Sequence, residues 1–261
     1  MLTILSPAKR LDAETPPTTD RHSQPAFLDD ARRLADRAAA LNAADLKSLM
    51  GVSDGIADLN VRRFQAFSPP FDLSNAKQAV MMFQGDVYQG LDADSLSEAD
   101  LCFAQDHVRI LSGLYGLLRP LDLMQPYRLE MGTKFRNDRG EDLYAFWGGR
   151  LGAALAENPK INGVLVNLAS KEYASAVDRS VLERYNIRVV TPSFYEMRDG
   201  QPKMLAFHAK KARGLMTRFV IEQRIDRPEG LQDFDWQGYR YRADLSEPGK
   251  PVFTRPDSRA A

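Results

Sequence analysis

Residues 163–173 read GVLVNLASKEY. The apolar run over 163–168 is the clearest strand signal in the chain, and it leaves through Asn167 into a polar cluster, Ser170-Lys171-Glu172-Tyr173. Working outward, residues 2–6 (LTILS) read as a short buried strand that stops at Ser6-Pro7. Further strands are expected at 78–83 (QAVMMF), 127–131 (YRLEM), 187–196 with a break at Pro192, and 203–208 (KMLAFH). Apolar residues at helical spacing predict helices over 25–41, 43–50, 55–66, 97–118, 143–156 and 210–225. Residues 239–243 and 252–255, with Pro248-Gly249 between them, predict a hairpin. This mixture indicates an α/β (mixed α+β) fold: one domain, residues 1–261, around one central sheet with surrounding helices.

Composition supports that reading. The chain is long enough to bury a full core without disulfides or metal, and 44% hydrophobic with 27% charged residues is the balance of a globular protein. Thirty-five Lys and Arg against 35 Asp and Glu give a formal net charge of zero, which argues against coating nucleic acid through bulk positive charge. The single Cys102 allows no intrachain disulfide and no cysteine-based zinc site. Set in LCFAQDHV, it is expected to be an inert buried thiol. The first twelve residues, MLTILSPAKRLD, lack the apolar core and cleavage site of a secretory signal. No window approaches the roughly 20 apolar residues of a membrane span. The expectation is a soluble, cytoplasmic protein without a membrane partner.

Several expected strands end in polar clusters. The first ends in Ser6-Pro7-Ala8-Lys9, the 78–83 strand in Gln84-Gly85-Asp86-Val87-Tyr88, and the 203–208 strand in His208-Ala209-Lys210-Lys211. Ligands of open α/β sheets sit beyond the carboxyl ends of parallel strands. If these strands are parallel neighbours, their clusters line one cleft; otherwise they are independent turns and caps.

A basic segment adds detail. Between His208 and Pro228 lie Lys210, Lys211, Arg213, Arg218, Arg224 and Arg227 against Glu222 and Asp226, a net of +4. At 100° per residue, Ala212, Leu215, Met216 and Phe219 fall on one side of a helix and the basic residues spread over the other. Gly214 falls within the basic arc, where a missing side chain would let a phosphodiester approach. Two basic residues beside the expected helix start also oppose its macrodipole, a conflict that a bound anion relieves. Upstream, the helical pair at 43–66, turning at Gly51-Val52 and bearing Arg62-Arg63, is similar to a helix-hairpin-helix. That motif holds duplex phosphates without reading sequence. The spacing of Met50-Gly51-Val52-Ser53-Asp54-Gly55 is wider than usual and includes an anion, so from spacing alone an ordinary helical hairpin is slightly the better reading.

Other chemistry has less support. His22, His107 and His208 are too scattered for a metal cluster, and HExxH and GxxxxGK[ST] are absent. Ser6 and Ser170 lack a G-x-S-x-G context. Lys9 could serve as an electrophile, a Schiff-base lysine or a phosphate clamp. Glu130 and Glu172 could form an acid/base pair, or could instead neutralise Arg128 and Lys171.

Ser6-Pro7-Ala8-Lys9, the FQGDVY run at 83–88, LSGLYG at 111–116, RPLDLMQPYRLEMG at 119–132, NLAS at 167–170 and AKKARG at 209–214 resemble the YaaA family of bacterial peroxide-stress proteins over essentially the whole chain. The resemblance implies a cytoplasmic protein that helps cells survive hydrogen peroxide, linked to limiting damage from unincorporated iron. It also implies DNA binding and a role in recombination repair. The implied fold is an unusual single-domain α/β arrangement with a positively charged cleft and a helix-hairpin-helix. Carried onto this chain, the cleft includes Lys9, Lys210, Lys211 and Arg213, and the hairpin falls at 43–66. The resemblance carries no catalytic residues.

Two functions follow as expectations. One is a DNA-binding protein of the peroxide-stress response, holding duplex or repair-type DNA by its phosphates with no strong sequence preference. Lys9, Lys210, Lys211, Arg213 and Arg218 would make the contacts, with Arg62 and Arg63 on the hairpin. The other is an enzyme acting on a small phosphorylated or nucleotide-like ligand in the same cleft. Asn167, Ser170, Glu172 and Lys9 would be its polar apparatus, and Ser6, Asp86, Arg128, Glu130 and Tyr173 are further polar candidates of the cleft. Neither calls for a metal or a cofactor.

Overall fold

The computed structural model describes residues 1–257. The chain opens with β1 (Leu2–Leu5) and β2 (Arg10–Leu11), then runs through α1 (Leu28–Ala39), α2 (Ala43–Met50) and α3 (Asp54–Gln65). Short elements follow: β3 (Lys77–Gln78), α4 (Ala79–Met82), β4 (Phe83–Gln84) and α5 (Asp86–Leu91). The longer α6 (Glu98–His107) leads directly into β5 (Val108–Ser112), β6 (Gly116–Leu118) and β7 (Leu123–Met124). Next come α7 (Leu143–Trp147), α8 (Arg150–Ala156), β8 (Val164–Asn167), α9 (Lys171–Ala174), α10 (Arg179–Arg184) and β9 (Arg188–Val190). The chain ends with β10 (Ser193–Arg198), β11 (Gln201–Lys203), α11 (Ala206–Glu222), β12 (Arg240–Tyr241) and β13 (Val252–Arg255).

A five-stranded sheet in the order β6-β5-β1-β8-β9 forms the centre. All four residues of β1 are buried, as its central place requires. It runs parallel to β5 (Thr3↔Val108) and to β8 (Ile4↔Asn167), and β9 runs parallel to β8. Only β6 returns antiparallel, pairing Ile110 with Leu118. The carboxyl ends of β1, β5 and β8 therefore open on one side, so the expected condition of parallel neighbours holds for the clusters after β1 and β8, whereas the segments before the other two clusters are not strands of this sheet. A separate four-stranded sheet, β11-β10-β13-β12, contains the expected tail hairpin, with Arg240 opposite Thr254. Phe194, Phe234, Tyr239 and Phe253 pack together as its aromatic core.

Several boundaries differ from expectation for physical reasons. The helix expected over 97–118 ends at His107, and β5 takes over with every residue buried. A strand buried on both faces shows no alternation, so its apolar run is readily absorbed into a helical count. Residues 78–83 are mostly the helical turn α4, fully buried and anchored by Ala79 N–H to Asp122 O and Val80 N–H to Pro120 O. The 127–131 segment alternates buried Tyr127 and Leu129 with half-buried Arg128 and Glu130, yet pairs with no strand among the described residues. The strand expected at 203–208 stops at Lys203, and α11 starts at Ala206. Lys210 and Lys211 thus lie in the second turn of the helix, where the proposed macrodipole conflict is weak. The 143–156 helix is two helices, broken at Gly148 with φ 49°.

Two residues face the other way from expectation. Cys102 is exposed, because Leu101 and Ala104 take the inner face of α6 and leave it outside. Gly214 is buried at the crossing of α11 over α5. A Cβ there would stand 1.8 Å from Val87 O, and one at Gly90 2.2 Å from Lys211 O. Gly214 admits a neighbouring backbone, not a phosphodiester.

Candidate functional site

The polar clusters meet where the parallel strands end. The Ser170 N–H donates to Ser6 Oγ at 2.8 Å, and the Ser6 hydroxyl lies 3.2 Å from Ser170 Oγ. This couples the loop after β1 to the loop after β8. Tyr88 on α5 donates its hydroxyl to Ser6 O at 3.0 Å, which draws the 84–88 cluster to the same place. Tyr127 Oη and Ser112 Oγ, 2.6 Å apart, tie in the end of β5. The result is a cleft of about 500 Å³, within the range of small-ligand sites.

Ten of the expected residues line it: Ser6, Lys9, Asp86, Arg128, Glu130, Ser170, Glu172, Tyr173, Lys210 and Arg213. Its carboxylates are engaged. Glu130 bridges Lys9 (2.8 Å) and Arg128 (3.1 Å), Asp86 lies 3.9 Å from Lys210, and Glu172 accepts the Gly132 N–H at 2.9 Å. The buried Nε of Arg128 has no hydrogen-bond partner, which is unusual for a buried donor. Burial pushes the hydroxyls of Tyr88, Tyr127 and Tyr173 well above the ordinary phenol value, so all three are neutral walls at physiological pH. Ser6 and Ser170 pair with each other, and no histidine lines the cleft. Serine activation by imidazole is thus not built into it.

Arg213 stands apart. Its guanidinium has no ion pair or hydrogen-bond partner among the described residues, and burial lowers its pKa with no acid nearby to oppose the shift. Arg213 also lines a second cleft, of about 790 Å³, together with Asn167, Lys171, Ser175, Asp178 and Arg179. Asp178 there caps α10 through the Ser180 N–H, while Lys171 and Arg179 have no carboxylate partner among the described residues. Asn167 belongs to this second cleft, where its Oδ1 accepts the Ala169 N–H. Arg179 went unnoticed in the sequence because Asp178-Arg179-Ser180 reads as a helix cap, which it also is.

The remaining basic candidates lie elsewhere. Arg218 is held by Asp92, Ser95 and Glu222, and with Lys211 it borders a shallow depression beside Trp236. Its spacing on the helix fits the basic arc, but its charge is taken up by Glu222 one turn on and by the 92–95 turn. Arg62 is exposed on α3 beside Asp58, and Arg63 is half-buried on the same helix. In the turn between α2 and α3, the Gly51 and Val52 N–H groups both donate to Lys47 O, and Lys47 pairs with Asp54 at 2.8 Å. Those two donors cap α2 instead of facing outward. His208 packs against Glu196, away from both clefts. Among the described residues no group of three or more His, Cys, Asp or Glu is placed to hold a metal ion, and no helix is long and apolar enough to cross a membrane.

The comparisons agree with the motifs. The family model described as "peroxide stress protein YaaA" matches residues 1–245. A "UPF0246 protein" of Paraburkholderia phytofirmans is 53% identical over 259 residues, covering 98% of each chain. A "UPF0246 protein" of Paraburkholderia xenovorans is 52% identical over the same length, again covering 98% of each.

Proposed function

The chain belongs to the peroxide stress protein YaaA family, and from that premise we propose that it serves the oxidative-stress response by binding DNA through its phosphates. The family supports the role in peroxide stress. The observation that carries the DNA reading is Arg213, a half-buried guanidinium without a counter-ion among the described residues, at the meeting of two clefts. Drawing a cation partly out of water without a partner costs the fold, and a phosphodiester would supply the missing charge. Lys9 and Lys210 border the same cleft and can extend the contact. Phosphate contacts position a strand without reading its bases, so binding tolerates sequence. Such a protein works in the cytoplasm, in contact with the chromosome, and protects the DNA or assists its repair. Effects on free iron are then indirect.

The test is a gel shift on duplex and junction DNA with the Lys210→Glu, Lys211→Glu, Arg213→Glu triple variant. Binding by the parent chain should be abolished in the variant, whose melting curve shows that it folds. Undiminished binding would remove the proposal.

The second reading, an enzyme acting on a small phosphorylated ligand, is favoured by the carboxylates of Glu130 and Glu172 and the unpartnered Arg128 Nε inside the first cleft. A thermal-shift screen with nucleotides and phosphometabolites tests it. Without a stabilising ligand, and with Glu172→Gln still protecting cells from peroxide, that reading fails.

A further inference from the structure

The two clefts share a wall. The single helical turn α9 divides its side chains between them: Glu172 and Tyr173 line the first cleft, Lys171 and Ala174 the second. Arg213 reaches the ridge from α11 and lines both. An intact duplex presents phosphates on its outside and keeps its bases stacked inside. It can lay one phosphate on Arg213, but it has nothing to put into a hollow on either side of that phosphate. An unstacked strand does, because each of its phosphates is flanked by two nucleotides whose bases are free to turn outward.

We infer that the clefts are consecutive nucleotide subsites for a single DNA strand, with Arg213 holding the phosphodiester that crosses the α9 ridge. This rests on the DNA-binding reading above and narrows its ligand. The first cleft receives a base: its walls include the rings of Tyr88, Tyr127 and Tyr173, and the carboxylates of Glu130 and Glu172 can accept hydrogen bonds from exocyclic amines. The second cleft is suited to the neighbouring sugar and phosphate, since Lys171 and Arg179 leave it predominantly cationic. The strand can come from single-stranded DNA or from a nucleotide turned out of a duplex. A free mononucleotide shares the chemistry of one subsite only.

Competition against a fluorescein-labelled ten-nucleotide strand, read by anisotropy with the full chain, separates these cases. The competitors are dAMP, the deoxydinucleotide pdApdA, unlabelled single strand, blunt duplex and duplex with an unpaired nucleotide. The dinucleotide should compete at least tenfold better than the mononucleotide, and the single strand at least tenfold better than blunt duplex. A duplex with an unpaired nucleotide should fall between those two. Arg213→Gln should erase the advantage of dinucleotide over mononucleotide. Lys171→Ala with Arg179→Ala should weaken the dinucleotide and leave the mononucleotide unchanged, which a folding defect would not do.

Equal competition by mononucleotide and dinucleotide would overturn the two-subsite inference, as would equal binding of blunt duplex and single strand. In both cases DNA binding itself survives. Absence of binding to every DNA, including the duplex and junction substrates, would instead overturn the underlying reading along with this one.

Discussion

At the scale of single residues, adjacent positions on α11 do opposite things. Arg213 turns a guanidinium into two clefts without a counter-ion, whereas Gly214 lets α5 approach until there is no room for a methyl group. The basic arc drawn from sequence contained both, since helical angle alone does not say which side a neighbouring helix will occupy. Stability measurements should separate them. Gly214→Ala should cost about 3 kcal/mol, because a Cβ would strike the backbone at Val87 and helices must move apart to admit it. That corresponds to a drop of roughly 6–12 °C in melting temperature; a loss under a degree would disprove the close crossing. Arg213→Met should instead stabilise the chain by about 1 kcal/mol while weakening DNA binding, the exchange expected when a functional site carries an uncompensated charge. A lower melting temperature in Arg213→Met would mean that the guanidinium has a structural partner after all.

At the scale of elements, legibility followed burial. Strands β1 and β8 were readable because turn-forming residues bound their short apolar runs. The start of β5 was not, because Val108 to Leu111 continue the apolar content of α6 and only pairing with β1 reveals the change. The start of α11 was misplaced for a different reason. A buried network links it to the second sheet: Glu196 on β10 bonds Arg198 and Arg255, and His208 on α11 lies 3.8 Å from the same carboxylate. Burial lowers the His208 pKa below the ordinary 6.5, and Arg255 lowers it further despite Glu196. Burial also lowers that of His107, which stacks on Phe103. A folded-state pKa below the unfolded one means that protonation favours the unfolded chain. The stability contribution is therefore complete above about pH 6.5 and is lost as pH falls through the folded values. Carboxylates such as Asp12, held at about 2 chiefly by the Thr15 N–H, join in only at lower pH. Melting temperature should accordingly decline between pH 7 and 5.5, and His208→Gln should flatten that decline. An identical slope in the variant would exclude His208 as a contributor.

For the molecule as a whole, zero net charge and a phosphate-binding face are compatible because pairing is uneven. Most basic side chains near acids are tied up, as Arg218 is by Asp92 and Glu222. Among the described residues, those left without a carboxylate partner around the two clefts are few, Arg213, Lys171 and Arg179 foremost. Composition could not show this, since it counts charges without their partners. The local +4 of the 208–228 segment overstated the available charge, because Arg218, Arg224 and Arg227 all sit beside acids. The consequence is quantitative. Two phosphates neutralised on a single strand, one on Arg213 and one in the second cleft, predict log affinity falling against log salt with a slope of about −1.4, at roughly 0.7 per contact. Titration of a labelled strand at several salt concentrations measures that slope directly. Lys171→Ala with Arg179→Ala should reduce its size by about 0.7, leaving the contact at Arg213. A slope steeper than about −5 would mean that a broad basic surface does the binding, and one near zero that phosphates are not what the clefts hold.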